Sequence, residues 1–230
     1  MDRDKQIEID PADESKPALV WDLPTRLFHW LLVSLVMVSF VTANIGGNAM
    51  EYHAWSGFTL LILLIFRVAW GFVGGREARF AAFVCGPVAV WRYAAALRRG
   101  KAPSHLGHNP MGGWSILAML TSLGIQAGTG LFANDDIFTE GPLYAWVSRA
   151  TSDGLTRIHR LNAELIVALV TLHVTAVLFY VFIKRENIVK PMITGFKPGH
   201  GAVPDPAGGG NWLAGVIAAL AAGAVYLIVR

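Results

Sequence analysis

Residues 158–184 read IHRLNAELIVALVTLHVTAVLFYVFIK, an apolar stretch with one histidine near its start and another at its middle. About 20 apolar residues span the roughly 30 Å hydrocarbon core of a bilayer, so this stretch predicts a transmembrane helix. His159 and His173 are 14 residues apart, which on an α-helix separates them by about 40° in direction and about 21 Å in height. One helix face therefore carries two histidines at two depths.

The composition indicates an all-α integral membrane protein. Of the 230 residues, 54% are hydrophobic and 15% are charged, which is too apolar for a soluble domain of this size. Five apolar runs are long enough to cross a bilayer, at residues 27–43, 53–72, 113–132, 158–183 and 212–229. We predict a mobile cytoplasmic tail at 1–19, a four-helix transmembrane bundle at 20–197, a flexible linker at 198–211 and one additional transmembrane helix at 212–230.

The basic residues lie beside the apolar runs, so we interpret the pI of about 9.2 as a membrane signal and not as a nucleic-acid footprint. The N-terminal tail, the second loop and the segment after the fourth run hold 4, 6 and 4 Lys or Arg, whereas the first loop has none and the third has two. This distribution predicts a cytoplasmic N-terminus and a C-terminus on the outside.

Two further histidines lie at the ends of the first two runs. With the predicted topology, His29 lies near the inner side and His53 near the outer side, so depth pairs His53 with His159 and His29 with His173. Facing imidazoles suit a six-coordinate haem iron, which has no open position for oxygen and favours electron transfer. Zinc accepts imidazole but prefers four close ligands. Without a Cys-x-x-Cys-His run, any haem must be held non-covalently.

Cationic residues near the helix ends are candidate partners for haem propionates, which are anionic. Arg67, 14 residues after His53, lies within the second run, where an arginine is either functional or extends to the nearby interface. Gly57, one turn after His53, could clear space for a porphyrin or for helix packing. The full set of candidates is Arg157 and Arg160 for the outer haem, and Arg26, Arg67 or Lys184 for the inner one. We interpret His105 and His108 as loop residues and not as ligands.

Six blocks of the sequence, WDLPTRLFHW, FRVAWGFVG, GHNPMGG, DDIFTEGPL, HRLNAELIVALVTLHV and KRENIVKPMITG, resemble the bacterial cytochrome b561 and nickel–iron hydrogenase cytochrome b group. The resemblance implies two b-type haems ligated by His29, His53, His159 and His173. It also implies a multi-pass protein of the bacterial inner membrane that moves electrons between the quinone pool and a redox partner protein. That partner would be a c-type cytochrome or a hydrogenase on the periplasmic side, and quinol oxidation by the protein itself is left open.

Two other classes of function remain open from the residues. The chain could be a membrane anchor or assembly subunit of a larger redox complex, with the histidines serving packing. It could also be a metal or ion transporter that uses the histidines as a pathway, although Glu164 would then be an unusually isolated intramembrane acid. Both alternatives predict a colourless purified protein.

The acidic residues of the third loop, which include Asp135, Asp136, Glu140 and Asp153, offer a surface for a basic partner.

Overall fold

The computed structural model describes residues 17–136, 139–198 and 210–230. These ranges contain eight α-helices: α1 (Leu23–Ile45), α2 (Ala49–Val73), α3 (Phe80–Phe83), α4 (Pro87–Arg98), α5 (Pro110–Gly130), α6 (Arg149–Leu178), α7 (Val189–Thr194) and α8 (Gly210–Val229). A π-helical turn, Phe179–Ile183, continues α6. The five long helices coincide with the five apolar runs, and the predicted all-α fold is confirmed.

Four helices within the described ranges are long and apolar enough to cross a membrane: α1, α2, α6 with its π-helical turn, and α8. Helix α5 has 21 residues but is not among them, because Gln126 and several Gly, Ser and Thr residues dilute its apolar character. Part of this polarity is used inside the bundle. Ser122 is 3% exposed and donates from Oγ to Oδ1 of Asn162 on α6 at 2.9 Å. The polar residues of α5 thus bond to a neighbouring helix, as expected where water is absent.

The bundle is built by successive packing of α1 on α2, α2 on α5, and α5 on α6. Leu64, Leu123 and Ile166 form a buried apolar cluster that joins α2, α5 and α6. Ile166 lies seven residues after His159 and seven before His173. This cluster therefore separates the two depths at which the histidines lie.

The segment after α6 returns to the start of α1. Ala18–Leu19 (β1) pairs antiparallel with Phe196–Lys197 (β2), and the side chain of Arg26 donates to the carbonyl of Ile193 at 2.7 Å. This two-stranded ladder was not expected from the sequence, and it includes residues 18 and 19 of the predicted tail. Residues 1–16 of that tail lie outside the described residues.

Asp22 joins the first two helices. Its Oδ1 caps α1 by accepting from the backbone N–H of Thr25 at 2.8 Å, as an N-cap aspartate does. Its Oδ2 accepts from Trp70 Nε1 and from the Gly75 backbone N–H, each at 3.0 Å. The end of α2 is thereby fixed beside the start of α1.

The last helix, α8, packs on α2 and α1. It buries Ala214, Ala221 and Val225, which are 8%, 2% and 2% exposed, and Ala214 belongs to an apolar cluster with Phe66 and Trp70 of α2. Helix α8 begins two residues earlier than predicted, at Gly210. Most of the predicted linker, residues 199–209, lies outside the described residues.

Candidate functional site

The structure brings His53 of α2 and His159 of α6 together. Their ring centroids are 6.1 Å apart and their planes are nearly perpendicular, at 85°. This is the predicted outer pair. The two imidazole rings therefore meet edge to face.

Each ring of the outer pair is oriented by a backbone carbonyl. His53 Nδ1 lies 2.9 Å from the carbonyl oxygen of Ser39, and His159 Nδ1 lies 2.9 Å from that of Gln126. A carbonyl oxygen can only accept, so in both rings Nδ1 carries the proton and donates it. Nε2 is then the bare nitrogen, which is the form in which a neutral imidazole binds a metal.

This geometry suits a metal held between the rings. Two imidazole nitrogens, each about 2 Å from a shared metal, with ring centroids about 1 Å further out, give a centroid separation of about 6 Å. A protein-ligated zinc site needs three or four side chains. Within the described residues, no group of three or more His, Cys, Asp or Glu could hold a metal. Two axial histidines are what a haem iron requires, since its other four ligands come from the porphyrin.

The predicted inner pair lies at the other end of the bundle. His29 of α1 and His173 of α6 are close enough for their charges to interact. Helices α1 and α6 do not pack on each other as closely as the other neighbouring helices of the bundle do. The two inner histidines therefore lie on helices that make little direct contact with each other.

Unsatisfied polar atoms are concentrated beside the inner pair. Among the described residues, five buried side-chain nitrogen or oxygen atoms have no hydrogen-bond partner: Thr25 Oγ1, Arg26 Nε, His29 Nδ1, Arg67 Nη1 and His108 Nδ1. Three of them lie on one turn of α1, and the other two belong to residues that interact with it. Buried polar atoms are rarely left unpaired, so this cluster indicates that a polar group binds here.

Arg67 is the most deeply buried charged residue of the inner end, at 3% exposure. Its Nη2 donates to the carbonyl of Ala78 at 3.0 Å, and its guanidinium lies over the rings of Phe28 and Phe80, at 6.0 and 5.1 Å from their centroids. The side chain does not extend to the interface, so that alternative is wrong. No ion pair with Arg67 occurs among the described residues, and a buried cation needs an anionic partner.

His108 is the residue that sequence reasoning missed. It lies in a loop, as predicted, but its ring packs against Trp21 and Phe83, with centroid distances of 4.5 and 5.0 Å. Burial lowers the pKa of His108 to about 3, with smaller contributions from Arg67, His173 and His29. His108 therefore belongs to the inner site. His105 does not, because its ring packs on Tyr93 and its Nδ1 lies near the Pro103 carbonyl.

The remaining candidates are Arg157, Arg160, Gly57 and Lys184. Arg157 and Arg160 are exposed and line a surface pocket of about 320 Å³ together with Asn134, Asp136, Asp153, Thr156 and Leu161. A Cβ built on Gly57 would meet nothing within 4 Å. Gly57 thus leaves open space one turn from His53 and is not a tight helix contact. Lys184 lies 5.9 Å from the ring centroid of Tyr180.

The acidic residues of the third loop are mostly used within the loop. Asp136 pairs with Arg149 at 2.8 Å, Asp135 accepts from the Thr139 backbone N–H at 2.8 Å, and Asp153 accepts from the Asn134 amide at 3.1 Å. These contacts tie the loop to the start of α6. They also reduce the free negative charge available to a basic partner.

Taken together, apolar spanning helices and paired inward-facing histidines define an all-helical integral membrane protein of the cytochrome type. The family model for prokaryotic cytochrome b561 matches residues 20–195, and the chain belongs to this family. The predicted family is confirmed. The family match ends before α8.

Several relatives share most of the chain. A protein of Rhizobium leguminosarum bv. viciae named probable Ni/Fe-hydrogenase B-type cytochrome subunit is 26% identical over 223 residues, covering 80% of this chain and 90% of the relative. A protein of Escherichia coli (strain K12) named probable Ni/Fe-hydrogenase 1 B-type cytochrome subunit is 26% identical over 214 residues, covering 77% and 89%. No solved structure matches the chain.

Proposed function

We propose that this protein is a membrane cytochrome with two b-type haems, which carries electrons between the quinone pool and a redox partner protein. His53 and His159 would hold one haem, and His29 and His173 the other. A haem supplies a centre that accepts and releases one electron. The observation that carries the proposal is the outer pair, whose rings face each other at 6.1 Å with both Nδ1 atoms bonded to backbone carbonyls.

The residues around each pair support this role. Ser39 and Gln126 fix the ring orientation and the tautomer of the outer ligands. Asn162 holds Gln126 in place by donating to its Oε1 at 2.8 Å. At the inner site, the unpartnered guanidinium atoms of Arg26 and Arg67 would bind propionate carboxylates.

The two sites form a route across the bundle. Their ligands on α6 are separated by about 21 Å of helix rise, and the apolar cluster around Ile166 lies between them. With the topology predicted from the basic loops, the outer pair faces the periplasm and the inner pair the cytoplasm of a bacterial inner membrane. The redox partner would dock on the outer side. The names of the relatives make a nickel–iron hydrogenase the first partner to test, ahead of a c-type cytochrome.

The first experiment is a haem count with a reduced-minus-oxidised absorption spectrum on the purified protein. We expect two haems b per chain, and absorption bands which show that both haems are fully reduced. A colourless protein would refute the cytochrome and favour the transporter or the haem-free anchor subunit.

The second experiment tests the route. The protein is reconstituted in vesicles, a quinol is supplied, and an impermeant electron acceptor is kept outside. We expect both haems to be reduced by the quinol and to pass electrons to the acceptor. Haems that exchange no electrons with quinol or quinone would overturn the quinone assignment while leaving the haem protein intact.

A further inference from the structure

We propose that His108 is a positioning residue of the inner site, where its Nδ1–H donates a hydrogen bond to a carboxylate of the haem bound by His29 and His173. This inference rests on the proposed function. It assigns a role to a third histidine beyond the two that would hold the iron, and it identifies the group that His108 contacts as an anionic carboxylate.

The first support is the position of the Nδ1 atom. It is inaccessible to solvent and has no partner, although buried polar atoms are rarely left unpaired. The same is true of Arg67 Nη1 and Arg26 Nε. Two cationic donors and one neutral donor with no acceptor of their own are a donor set that matches a carboxylate.

The second support is that the loop around His108 is held rigidly. Asn109 caps α5 by accepting from the Gly112 N–H at 2.8 Å, and its Nδ2 donates to the Tyr180 hydroxyl at 2.9 Å. Lys197 Nζ donates to the carbonyl of His105 at 2.6 Å. A histidine that only filled space between Trp21 and Phe83 would not need a loop fixed at both ends.

The third support is the direction of the charges. Arg67, His29 and His173 are the groups whose charges act on His108, and no carboxylate is among them. The acid beside its loop, Glu77, lies against Gly107 instead. An aromatic residue of similar size could fill the space against Trp21 and Phe83. Only a hydrogen-bond donor would add a polar contact at the position of Nδ1.

The test uses two substitutions of similar size, His108→Gln, which keeps an N–H donor, and His108→Met, which has none. Both are placed on a His53→Ala background, so that the inner haem is the only one retained. Loss of haem is measured as the rate of transfer to excess apomyoglobin. Because a hydrogen bond to a charged group contributes about 1.5–3 kcal/mol, we expect about tenfold or more faster loss from the Met variant and a rate near the parent's for Gln.

The matched control is His105→Met, in the same loop and with its ring on Tyr93, which should leave the rate unchanged. An infrared redox difference spectrum gives a second readout, since the carboxylate band of the inner haem should shift in the Met variant and not in the Gln variant. Equal haem loss from the Gln and Met variants would overturn the proposal and make His108 a packing residue. A His53→Ala protein that retains no haem would instead refute the proposed function.

Discussion

Lys197 links three segments at the inner end of the molecule, and replacing it by methionine tests how much this link contributes. Its Nζ lies 2.7 Å from Glu186 Oε1 and 2.6 Å from the carbonyl of His105. The side chains of Lys197 and Glu186 are 10% and 23% exposed, so the pair is partly shielded from water. Lys197→Met keeps the length of the side chain and removes both bonds.

The expected loss follows from these two contacts. A hydrogen bond to a charged group contributes about 1.5–3 kcal/mol, and partial exposure and non-additivity reduce the sum, so we expect about 2–4 kcal/mol of lost stability. For a chain of this size, that corresponds to a fall in Tm of about 4–16 °C. Thermal unfolding in detergent measures it. Lys190→Met, an exposed lysine, is the control and should change Tm by no more than about 1–2 °C.

The effect should also depend on pH. Burial raises the pKa of Glu186, but the hydrogen bond and charge of Lys197 outweigh this, so the pKa lies below its ordinary value. A lowered carboxylate pKa gives stability that is present above the unfolded-state pKa and lost as the pH falls through the folded-state pKa. The difference between wild type and Lys197→Met should therefore shrink in acid. A difference below about 1 kcal/mol at pH 7, or one that grows in acid, would refute this reasoning.

Three further predictions concern the haem sites and the topology. Replacing His53 or His159 by alanine should remove only the outer haem, and replacing His29 or His173 should remove only the inner haem. A haem count and the absorption spectrum of each variant measure this. Loss of the same haem from His29→Ala and His159→Ala would contradict the pairing. Arg67→Gln should lower the inner haem's midpoint potential by about 70 mV, because a unit charge about 10 Å away contributes about 1.7 kcal/mol at an effective dielectric constant of about 20. A redox titration that finds an unchanged potential with full haem occupancy would contradict this prediction. Reporter fusions placed between α7 and α8 and after the last residue should report opposite sides of the membrane, and finding both on one side would remove α8 as a span.

The sequence was sufficient for the features that depend on periodicity and length. The apolar runs predicted the long helices, and the 14-residue interval on α6 predicted that His159 and His173 serve two depths. The facing of His53 and His159 followed from the order of the helices alone. It needed no knowledge of side-chain contacts, since α2 and α6 both begin on the outer side in the predicted topology, so the histidines near their starts share one depth.

The sequence was not sufficient for features made by distant segments. The pairing of Ala18–Leu19 with Phe196–Lys197 joins two-residue strands, which carry no periodic signal. Arg67 was left between two interpretations, since burial depends on Ala78 and Phe80 folding back over it. A clue to His108 was present in the sequence. Asn109 and Pro110 are typical of a helix start, and His108 directly precedes them, so it lies beside the first turn of that helix.

Helix α8 is attached to the bundle in a different way from the others. Its buried face presents alanine and valine, forms no side-chain hydrogen bond within the described part of the chain, and packs on apolar partners of α2. In a bilayer, lipid tails are as apolar as these side chains, so moving α8 away into lipid would expose nothing to water. What keeps α8 in place is therefore the fit of its small buried side chains against α1 and α2, where Ala221 and Val225 are each 2% exposed.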